Sequence, residues 1–344
     1  MPKPNRRAGR LRLSVLDQSP VPEGSTGTQA LRNSIELAMC AERLGYHRFW
    51  LAEHHGMATL ACTSPDLLIG QIAAATSRIR VGAGGVMLPH YSPFKIAENY
   101  STLAGLFPGR IDLSIGRAKG TDATTALALQ RNRYERNEDN FIDALTELLG
   151  YLRNSLPAAH PFAHLVETLP GYPEQAEVWL LGSSPQSAIW AGDLGLRYMF
   201  GDFINANCAS VMDLYRERFT PSPDLSTPYA GVCAWVVCAD TEDDARSLAS
   251  SGKMLTLLLR EGKIIKVPPV ETAVRYLESK NYGPDGDLPD RNMLQGTPQR
   301  IRPQIEDLAR SYGVEEVVLV NIMHDHQARI RSYELIAEEF GLAG

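Results

Sequence analysis

Two adjacent histidines, His54 and His55, follow an acidic residue at the end of a strand-like stretch, residues 48–53. A histidine at the end of a strand can act as a general base or hold a reactive anion. Histidines grouped with carboxylates can instead bind a metal ion. The first predicted strand carries no histidine, which argues against the metal but does not exclude it. Further ligands for the metal alternative would be His90, His324 and His326.

A second candidate site lies where a strand runs into Gly182-Ser183-Ser184-Pro185-Gln186-Ser187 and a helix begins at once. Free N–H groups at a helix N-terminus, together with short hydroxyls, form a site for a phosphate. The same residues also describe an ordinary serine-capped helix with no ligand. Arg117, at the end of a strand predicted over residues 111–116, would either add a fixed positive charge to that phosphate or form a surface salt bridge.

Three glycines, Gly82, Gly84 and Gly85, interrupt a strand predicted over residues 79–88. Glycine weakens a strand interior, so its presence indicates either a flat ligand touching the backbone or a bulge without a ligand. The segment fails the dinucleotide-binding pattern, because Met87 occupies the third glycine position and no helix opens there. A redox enzyme with this sequence would therefore receive its electrons on a diffusible reduced cofactor.

Strand-like and helix-like segments alternate along the whole chain, which predicts a (β/α)₈ TIM barrel, with a doubly wound sheet plus a second domain as the alternative. In a barrel the polar residues named above fall on one rim, at the carboxyl ends of the strands. Residues 260–295 do not fit the repeat and are interpreted as an insertion between strands seven and eight, either a lid over the site or a surface excursion. The eight strands are predicted over residues 11–17, 48–53, 79–88, 111–116, 177–181, 197–203, 229–239 and 317–321.

Length and composition are typical of a globular enzyme. The 344 residues suffice for one large barrel, and we expect a single domain over residues 1–344 with a flexible tail at 1–10. A net charge of −6 argues against nucleic-acid binding, and no apolar run is long enough to span a membrane. Five cysteines without a C-x-x-C pair are typical of a reducing compartment, so a cytoplasmic protein is expected.

Five motifs taken in order resemble the bacterial-luciferase-like flavin-dependent monooxygenases, and within them the single-chain luciferase-like monooxygenase branch. The resemblance extends from residue 13 to about residue 342 and supports the barrel. The motifs are Trp50-Leu-Ala-Glu-His54-His55, Val81-Gly-Ala-Gly-Gly-Val-Met-Leu-Pro89, Ala97-Glu98-Asn99, Gly109-Arg110-Ile-Asp-Leu-Ser-Ile-Gly116-Arg117 and Leu181-Gly-Ser-Ser-Pro-Gln-Ser187.

The resemblance implies roles for individual residues. His54 matches the histidine near the reacting flavin, and Gly84-Gly85 matches a non-proline cis peptide against the isoalloxazine ring. Gly116 stands where luciferase itself has a reactive cysteine, so light emission is not inferred. The residues that match the phosphate cradle are Arg117, Gly182, Ser183, Ser184 and Ser187, with Arg131 or Arg133 as a second cation.

The function implied is oxygenation of a small organic substrate by reduced FMN and O2 through a flavin hydroperoxide, with secondary metabolism as the expected setting. His54 would hold or move a proton, residues 260–295 would close over the substrate, and a separate flavin reductase would supply the reduced cofactor. A homodimer is expected, without nucleic-acid or membrane partners. The alternatives are hydride transfer with a deazaflavin coenzyme and no oxygen, flavin binding without turnover, and a metal-dependent hydrolase.

Overall fold

Eight parallel strands close into a barrel in the computed structural model, which describes residues 11–130, 140–282 and 293–342. Each strand pairs in parallel with its neighbours, and the last strand of the ring pairs with both the first and the seventh. This confirms the (β/α)₈ barrel. The ring consists of β1 (Arg12–Asp17), β2 (Arg48–Leu51), β3 (Arg80–Met87), β4 (Ile111–Gly116), β5 (Glu177–Gly182), β6 (Arg197–Gly201), β7 (Ala230–Cys238) and β9 (Glu316–Val320).

Helices surround the ring and bury the outward faces of the strands. The first helix shows the local signals that start and stop it: Thr26 accepts a hydrogen bond from the N–H of Gln29 (3.1 Å), and Gly45, two residues past its end, has φ of 83°. None of the helices in the described ranges is long and apolar enough to cross a membrane. The helices are α1 (Gly27–Arg43), α2 (Pro65–Ala75), α3 (Pro93–Leu106), α4 (Ala123–Leu129), α5 (Phe141–Leu152), α6 (Pro185–Asp193), α7 (Ser210–Arg218), α8 (Glu242–Arg260), α9 (Val270–Ser279), α10 (Pro298–Tyr312) and α11 (His326–Phe340).

A layer of buried charges lies inside the barrel at its amino-terminal end. The guanidinium of Arg48, 2% exposed, donates to Asp112 (2.5 Å) and Glu316 (2.6 Å). Its Cζ atom lies 4.7 Å from the ring centroid of Trp179. Burial alone raises the pKa of Glu316, but the charge of Arg48 and hydrogen bonds to the carboxylate hold this pKa below its ordinary value. This charge layer, formed by Arg48, Asp112, Glu177 and Glu316, closes that end of the barrel.

The segment predicted as an insertion contains secondary structure. It includes α9 and a short strand, β8 (Met293–Gly296); residues 283–292 lie outside the described residues. β8 pairs with the second half of β7, whereas β9 pairs with the first half, so β8 is an extra strand beside the ring. Neither β8 nor α10 was predicted from the sequence. The position of the insertion, before the last barrel strand, agrees with the prediction.

Residues 264–268, which we call the strap, cross part of the carboxyl rim. The N–H of Val267 donates to the carbonyl of Val21 (2.9 Å), and the N–H of Glu23 donates to the carbonyl of Val267 (2.8 Å). The hydroxyl of Thr59 donates to the carbonyl of Ile265. The strap is therefore attached to the loops that follow β1 and β2.

Candidate active site

The glycine segment and the serine turn lie on the same rim of the barrel. Gly84 and Gly85 belong to β3, Arg117 follows β4, and Ser183 follows β5. These three strands are consecutive neighbours in the ring and run parallel, so their carboxyl ends share one edge. Strands in a sheet are about 4.8 Å apart, so β3 and β5 are separated by roughly 10 Å across the sheet. Trp179 is level with Gly84 in the register, and the serine turn lies beyond it towards the carboxyl end. The arrangement expected from the sequence is thus present.

The Gly84–Gly85 peptide bond is cis, as the family resemblance implied. The pairing of β3 with β4 shifts its register between Gly84 and Val86, so the bulge considered from the sequence is also present. A Cβ atom at Gly84 would lie 2.8 Å from the Leu16 side chain and 2.9 Å from the Trp50 ring. Close packing inside the protein therefore requires glycine here even without a ligand.

The serine turn caps α6. The Ser184 hydroxyl accepts a hydrogen bond from the N–H of Ser187 (3.3 Å), and the Ser187 hydroxyl accepts one from the N–H of Ser184 (3.3 Å). The buried Ser187 hydroxyl also lies 2.9 Å from that of Tyr198. A Cβ at Gly182 would collide with Ser187, so glycine permits the close approach of strand and helix. The capped helix expected as the alternative is present, and it leaves the Ser183 side chain outside the capping interactions.

Arg117 lies beside the same helix. Its guanidinium carbon is 5.3 Å from the ring centroid of Trp190 in α6, one turn after Ser187. The residue is exposed at the rim. This position puts a positive charge at the side of the serine turn. Arg131 and Arg133, the predicted second cations, lie outside the described residues.

His54 lies three residues beyond the end of β2, at the carboxyl rim. Arg48 and Trp50 of β2 point into the barrel, and Ala52 belongs to the same interior cluster as Trp50. The Nδ1 atom of His54 is buried and has no hydrogen-bond partner. Burial, and secondly the neighbouring His55, lowers the pKa of His54 to about 4. The imidazole is therefore neutral near pH 7.

His55 and Glu53 face the other way and tie two strand ends together. The carboxylate of Glu53, 1% exposed, accepts hydrogen bonds from His55 Nε2 (2.7 Å), the Tyr91 hydroxyl (2.7 Å) and the N–H of Met87 (3.1 Å). The two histidines thus differ in environment: His54 has an unpartnered nitrogen inside the barrel, and His55 is bound to a carboxylate outside it. The family resemblance selected His54, but the sequence did not show this difference in environment.

The histidines named for the metal alternative lie in separate contacts. His90 Nε2 donates to the carbonyl of Lys119 (2.7 Å), and His324 Nε2 donates to the carbonyl of Glu23 (3.2 Å). His326 lies 3.4 Å from the carboxylate of Glu36. Within residues 11–130, 140–282 and 293–342, no group of three or more His, Cys, Asp or Glu side chains is arranged to hold a metal ion.

Two further polar side chains inside the barrel were not predicted as site residues. The Ser114 hydroxyl in β4, opposite Gly84 in the register, is buried without a partner. The indole N–H of Trp235 in β7 is also buried without a partner. The alternation Asp112, Ser114, Gly116 along β4 would have identified Ser114 as inward-facing. Trp235 was hidden in an apolar run, where a tryptophan is indistinguishable from core.

The largest described cavity, about 600 Å³, is not at this rim. It lies at the opposite end of the barrel, against Leu13, Glu42, His47 and Glu315. No unpartnered inward-facing side chain is found there among the described residues. The grouping of polar atoms, rather than the size of a cavity, therefore identifies the carboxyl rim as the candidate active site.

The chain is similar to known proteins in both sequence and structure. A family model described as "Luciferase-like monooxygenase" matches residues 11–316, which include every rim segment described above. A curated relative from Escherichia coli (strain K12), named luciferase-like monooxygenase, is 40% identical over 326 residues, 94% of this chain and 95% of its own. The crystal structure of apo-MsnO8 is 39% identical, with a TM-score of 0.87 over 97% of this chain and 98% of that one.

More distant solved structures share the fold. The oxygenating constituent of 3,6-diketocamphane monooxygenase from Pseudomonas putida, in complex with FMN, is 19% identical with a TM-score of 0.71; the match covers 96% of this chain and 98% of that one. An F420-dependent secondary alcohol dehydrogenase is 17% identical with a TM-score of 0.70, over 98% of this chain and 100% of that one. At these identities the likeness concerns the fold alone.

Proposed function

This chain belongs to the luciferase-like monooxygenase family and is an oxidoreductase, and from that premise we propose that it binds reduced FMN and uses O2 to oxygenate a small organic substrate. The family resemblance drawn from the sequence is confirmed. One observation carries the finer proposal. The glycine bed at Gly84-Gly85, the serine turn and Arg117 lie on three adjacent strand ends, beside unpartnered polar atoms that face the barrel interior.

The interior polar atoms fit a flavin ring. A buried polar atom without a partner costs about 1–3 kcal/mol, so such atoms at one place favour a ligand that supplies partners. The Ser114 hydroxyl is unpartnered opposite Gly84, and His54 Nδ1 is unpartnered in the loop after β2, the strand next to β3. An isoalloxazine ring is flat and carries donors and acceptors along its edge. It would satisfy such atoms while its face lies against a backbone that has no side chain.

The phosphate would be held at the start of α6. Backbone N–H groups there, the hydroxyls of Ser183 and Ser184, and the positive charge of Arg117 are proposed to bind it. Gly182 allows the strand end to approach the helix, and Ser187 orients Ser184 through the capping box. Reduced FMN supplies the two electrons needed to transfer one atom of O2 to the substrate.

His54 is proposed to hold or move a proton in the oxygen-transfer step. Because its pKa is about 4, the imidazole is neutral at ordinary pH, so its ring offers one N–H donor and one nitrogen that can accept a hydrogen bond. Leu16 and Trp50 form an apolar floor beneath Gly84, and the strap covers part of the rim. These residues keep water away from the reacting atoms.

Comparison of FMN with riboflavin tests the phosphate site directly, because riboflavin lacks only the phosphate. We expect Arg117→Ala to weaken binding of FMN about 10-fold and to leave riboflavin binding unchanged, since a charged hydrogen bond contributes about 1.5–3 kcal/mol. Arg331→Ala, an exposed arginine distant from the rim, is the matched control. Equal weakening of both flavins, or no binding of either flavin by the native chain, would contradict the proposal.

Replacement of His54 tests the proton-transfer role. We expect His54→Ala to keep FMN affinity within about threefold of the native value while turnover falls at least about 100-fold, the usual contribution of a general acid or base. Equilibrium titration and single-turnover kinetics with reduced FMN and O2 measure the two effects separately. Loss of FMN binding with unchanged turnover per bound flavin would assign His54 to the cofactor site instead.

Oxygen dependence separates the proposal from its alternatives. Hydride transfer with the deazaflavin coenzyme would proceed without O2. A flavin-binding protein without turnover would consume neither O2 nor substrate. A separate reductase is proposed as the source of reduced FMN, because Met87 occupies the third glycine position of the dinucleotide pattern in β3. The predicted homodimer can be checked by sedimentation.

A further inference from the structure

Trp235 faces the inside of the barrel near its carboxyl rim. On β7, Val232, Ala234 and Val236 pack against the surrounding helices, so Cys233 and Trp235 take the other face. Both of these inward residues belong to the apolar cluster that also contains Trp50 and Leu16. Trp235 is nearer the rim than Cys233, because it lies two residues further along the strand.

The indole N–H of Trp235 has no hydrogen-bond partner. Its nitrogen is fully buried, and the residue is 9% exposed. The other two tryptophans of the barrel interior are satisfied: Trp50 donates to Asp112 (2.9 Å) and Trp179 donates to Glu177 (3.0 Å). An indole N–H only donates, so Trp235 requires an acceptor that the described residues do not supply.

The N–H points away from the outer helix. A Cβ atom at Gly252 in α8 would lie 2.9 Å from Cζ3 of Trp235, so this edge of the ring packs directly on the helix. Cζ3 and Nε1 lie at opposite edges of an indole. The donor is therefore on the side of the ring turned from α8.

The surroundings of Trp235 are apolar. The apolar cluster that it joins draws on the loop after β2, α8, the strap and the second residue after β9. A charged group that entered this space would lose its hydration. The members from these segments are Met57, Leu60, Leu255, Ile265, Val267 and Ile322.

Trp235 also lies opposite the glycine bed. In the ring of eight strands, β7 is four positions from β3 in either direction. The carboxyl end of β2, with His54, is next to β3. A molecule bound between Gly84-Gly85 and β7 would therefore have His54 beside it and Trp235 opposite Gly84-Gly85.

From this arrangement we propose that Trp235 is a substrate-binding residue whose indole N–H donates to a single neutral oxygen acceptor, a carbonyl or ether, on an otherwise apolar substrate. The inference rests on the proposed function, because it places the substrate across from the flavin. It defines the substrate class as neutral and largely hydrocarbon. It also assigns a recognition role to a residue that the family resemblance did not mark.

The indole resonances provide a direct test. The chain has four tryptophans, so indole-¹⁵N labelling gives four N–H signals, and Trp235→Phe identifies the one of interest. The full chain is titrated with cyclohexanone, with methylenecyclohexane, which replaces the acceptor oxygen by carbon, and with cyclohexanecarboxylate. We expect cyclohexanone to shift the Trp235 signal downfield while the signals of Trp50 and Trp179, already bonded, stay in place.

Affinities complete the test. Trp235→Phe should weaken cyclohexanone binding about fivefold, the range of one neutral hydrogen bond, and leave methylenecyclohexane unchanged. Cyclohexanecarboxylate should bind at least about tenfold more weakly than the ketone. An unmoved Trp235 signal with bound ketone, equal effects on ketone and hydrocarbon, preference for the carboxylate, or no binding of the ketone would each overturn the inference.

A parallel titration with FMN keeps the two proposals apart. If the chain binds FMN but the Trp235 signal does not shift with the ketone, only the substrate inference is refuted. A chain whose Trp235 signal responds to the ketone but which binds no flavin refutes the proposed cofactor and leaves the recognition site in place.

Discussion

At the scale of single residues, adjacent side chains of one type have opposite environments. His54 and His55 are consecutive, yet His54 Nδ1 is buried without a partner whereas His55 is bound to Glu53. The family resemblance selected His54, but the residues alone did not show this difference, because the partner of His55 depends on Tyr91 and Met87 being brought to the same carboxylate by the fold. Ser114 and Trp235 were not predicted as site residues for a related reason. An unpartnered atom is visible only when the distances to all its neighbours are known.

The low pKa of His54 makes stability depend on pH. In the unfolded chain its ordinary pKa is 6.5, and in the folded protein burial lowers the pKa to about 4. The unfolded state therefore binds the proton first on acidification, so the free energy of unfolding falls as the pH drops from 6.5 towards 4. At 1.36 kcal/mol per pH unit, the loss amounts to at most about 3 kcal/mol.

Urea unfolding between pH 7 and pH 4 measures this effect. His54→Gln should flatten the decline, whereas His164→Gln, at an exposed position, should leave the slope as in the native chain. Identical slopes for all three proteins would show that His54 is solvated rather than buried.

At the scale of elements, local signals predicted most of the strands and helices. Strand β4 has the predicted bounds, and α11 coincides with the helix that the sequence predicts over residues 326–340. Helix α1 begins and ends within one residue of the helix predicted over residues 28–44. The predicted strand 197–203 is shorter in the structure, because Asp202 leaves the ladder and binds the hydroxyl of Tyr312. β8 was missed because a strand of four residues gives a weak sequence pattern. α10 was missed because Pro303 interrupts its helical pattern. A closing role for residues 260–295 stays a prediction.

The glycine bed gives an element-scale prediction about stability. Gly84→Ala should lower the free energy of unfolding by about 1–3 kcal/mol, because the new methyl group would press on Leu16 and Trp50 in the barrel interior. Gly27→Ala is the control, since a Cβ there meets only the Ala61 side chain at 3.6 Å. Urea denaturation compares the two. Equal stability of both variants would mean that Leu16 and Trp50 can move to accommodate the new methyl group.

At the scale of the whole molecule, the charge layer predicts which salt bridges matter. Arg48→Met should cost about 3–5 kcal/mol of stability, because it leaves the buried carboxylate of Glu316 without its cation and Asp112 with Arg80 alone. Arg331→Met removes an exposed pair with Asp240 and should cost at most about 1 kcal/mol. Thermal unfolding of both variants at low and high salt checks this. The first loss should be insensitive to salt, and a loss below 1 kcal/mol would contradict the prediction.

The barrel itself was predictable because eight repeats of strand and helix restrict the possible architectures. The charge layer was not, since its members come from β2, β4, β5 and β9, far apart in sequence. Each residue alone resembles an ordinary charge beside a strand. Only closure of the ring shows that Arg48, together with Arg80 and Arg197 beside it, neutralises the three carboxylates.

Closure of the amino-terminal end by the charge layer has a kinetic consequence. Small molecules that reach the barrel interior must enter and leave through the carboxyl rim, which the strap already narrows. Two ligands that share one passage bind in a compulsory order when the second stands between the first and solvent. Initial-rate studies should then show an ordered sequential pattern, with inhibition at high substrate concentration where substrate occupies the passage before the cofactor arrives.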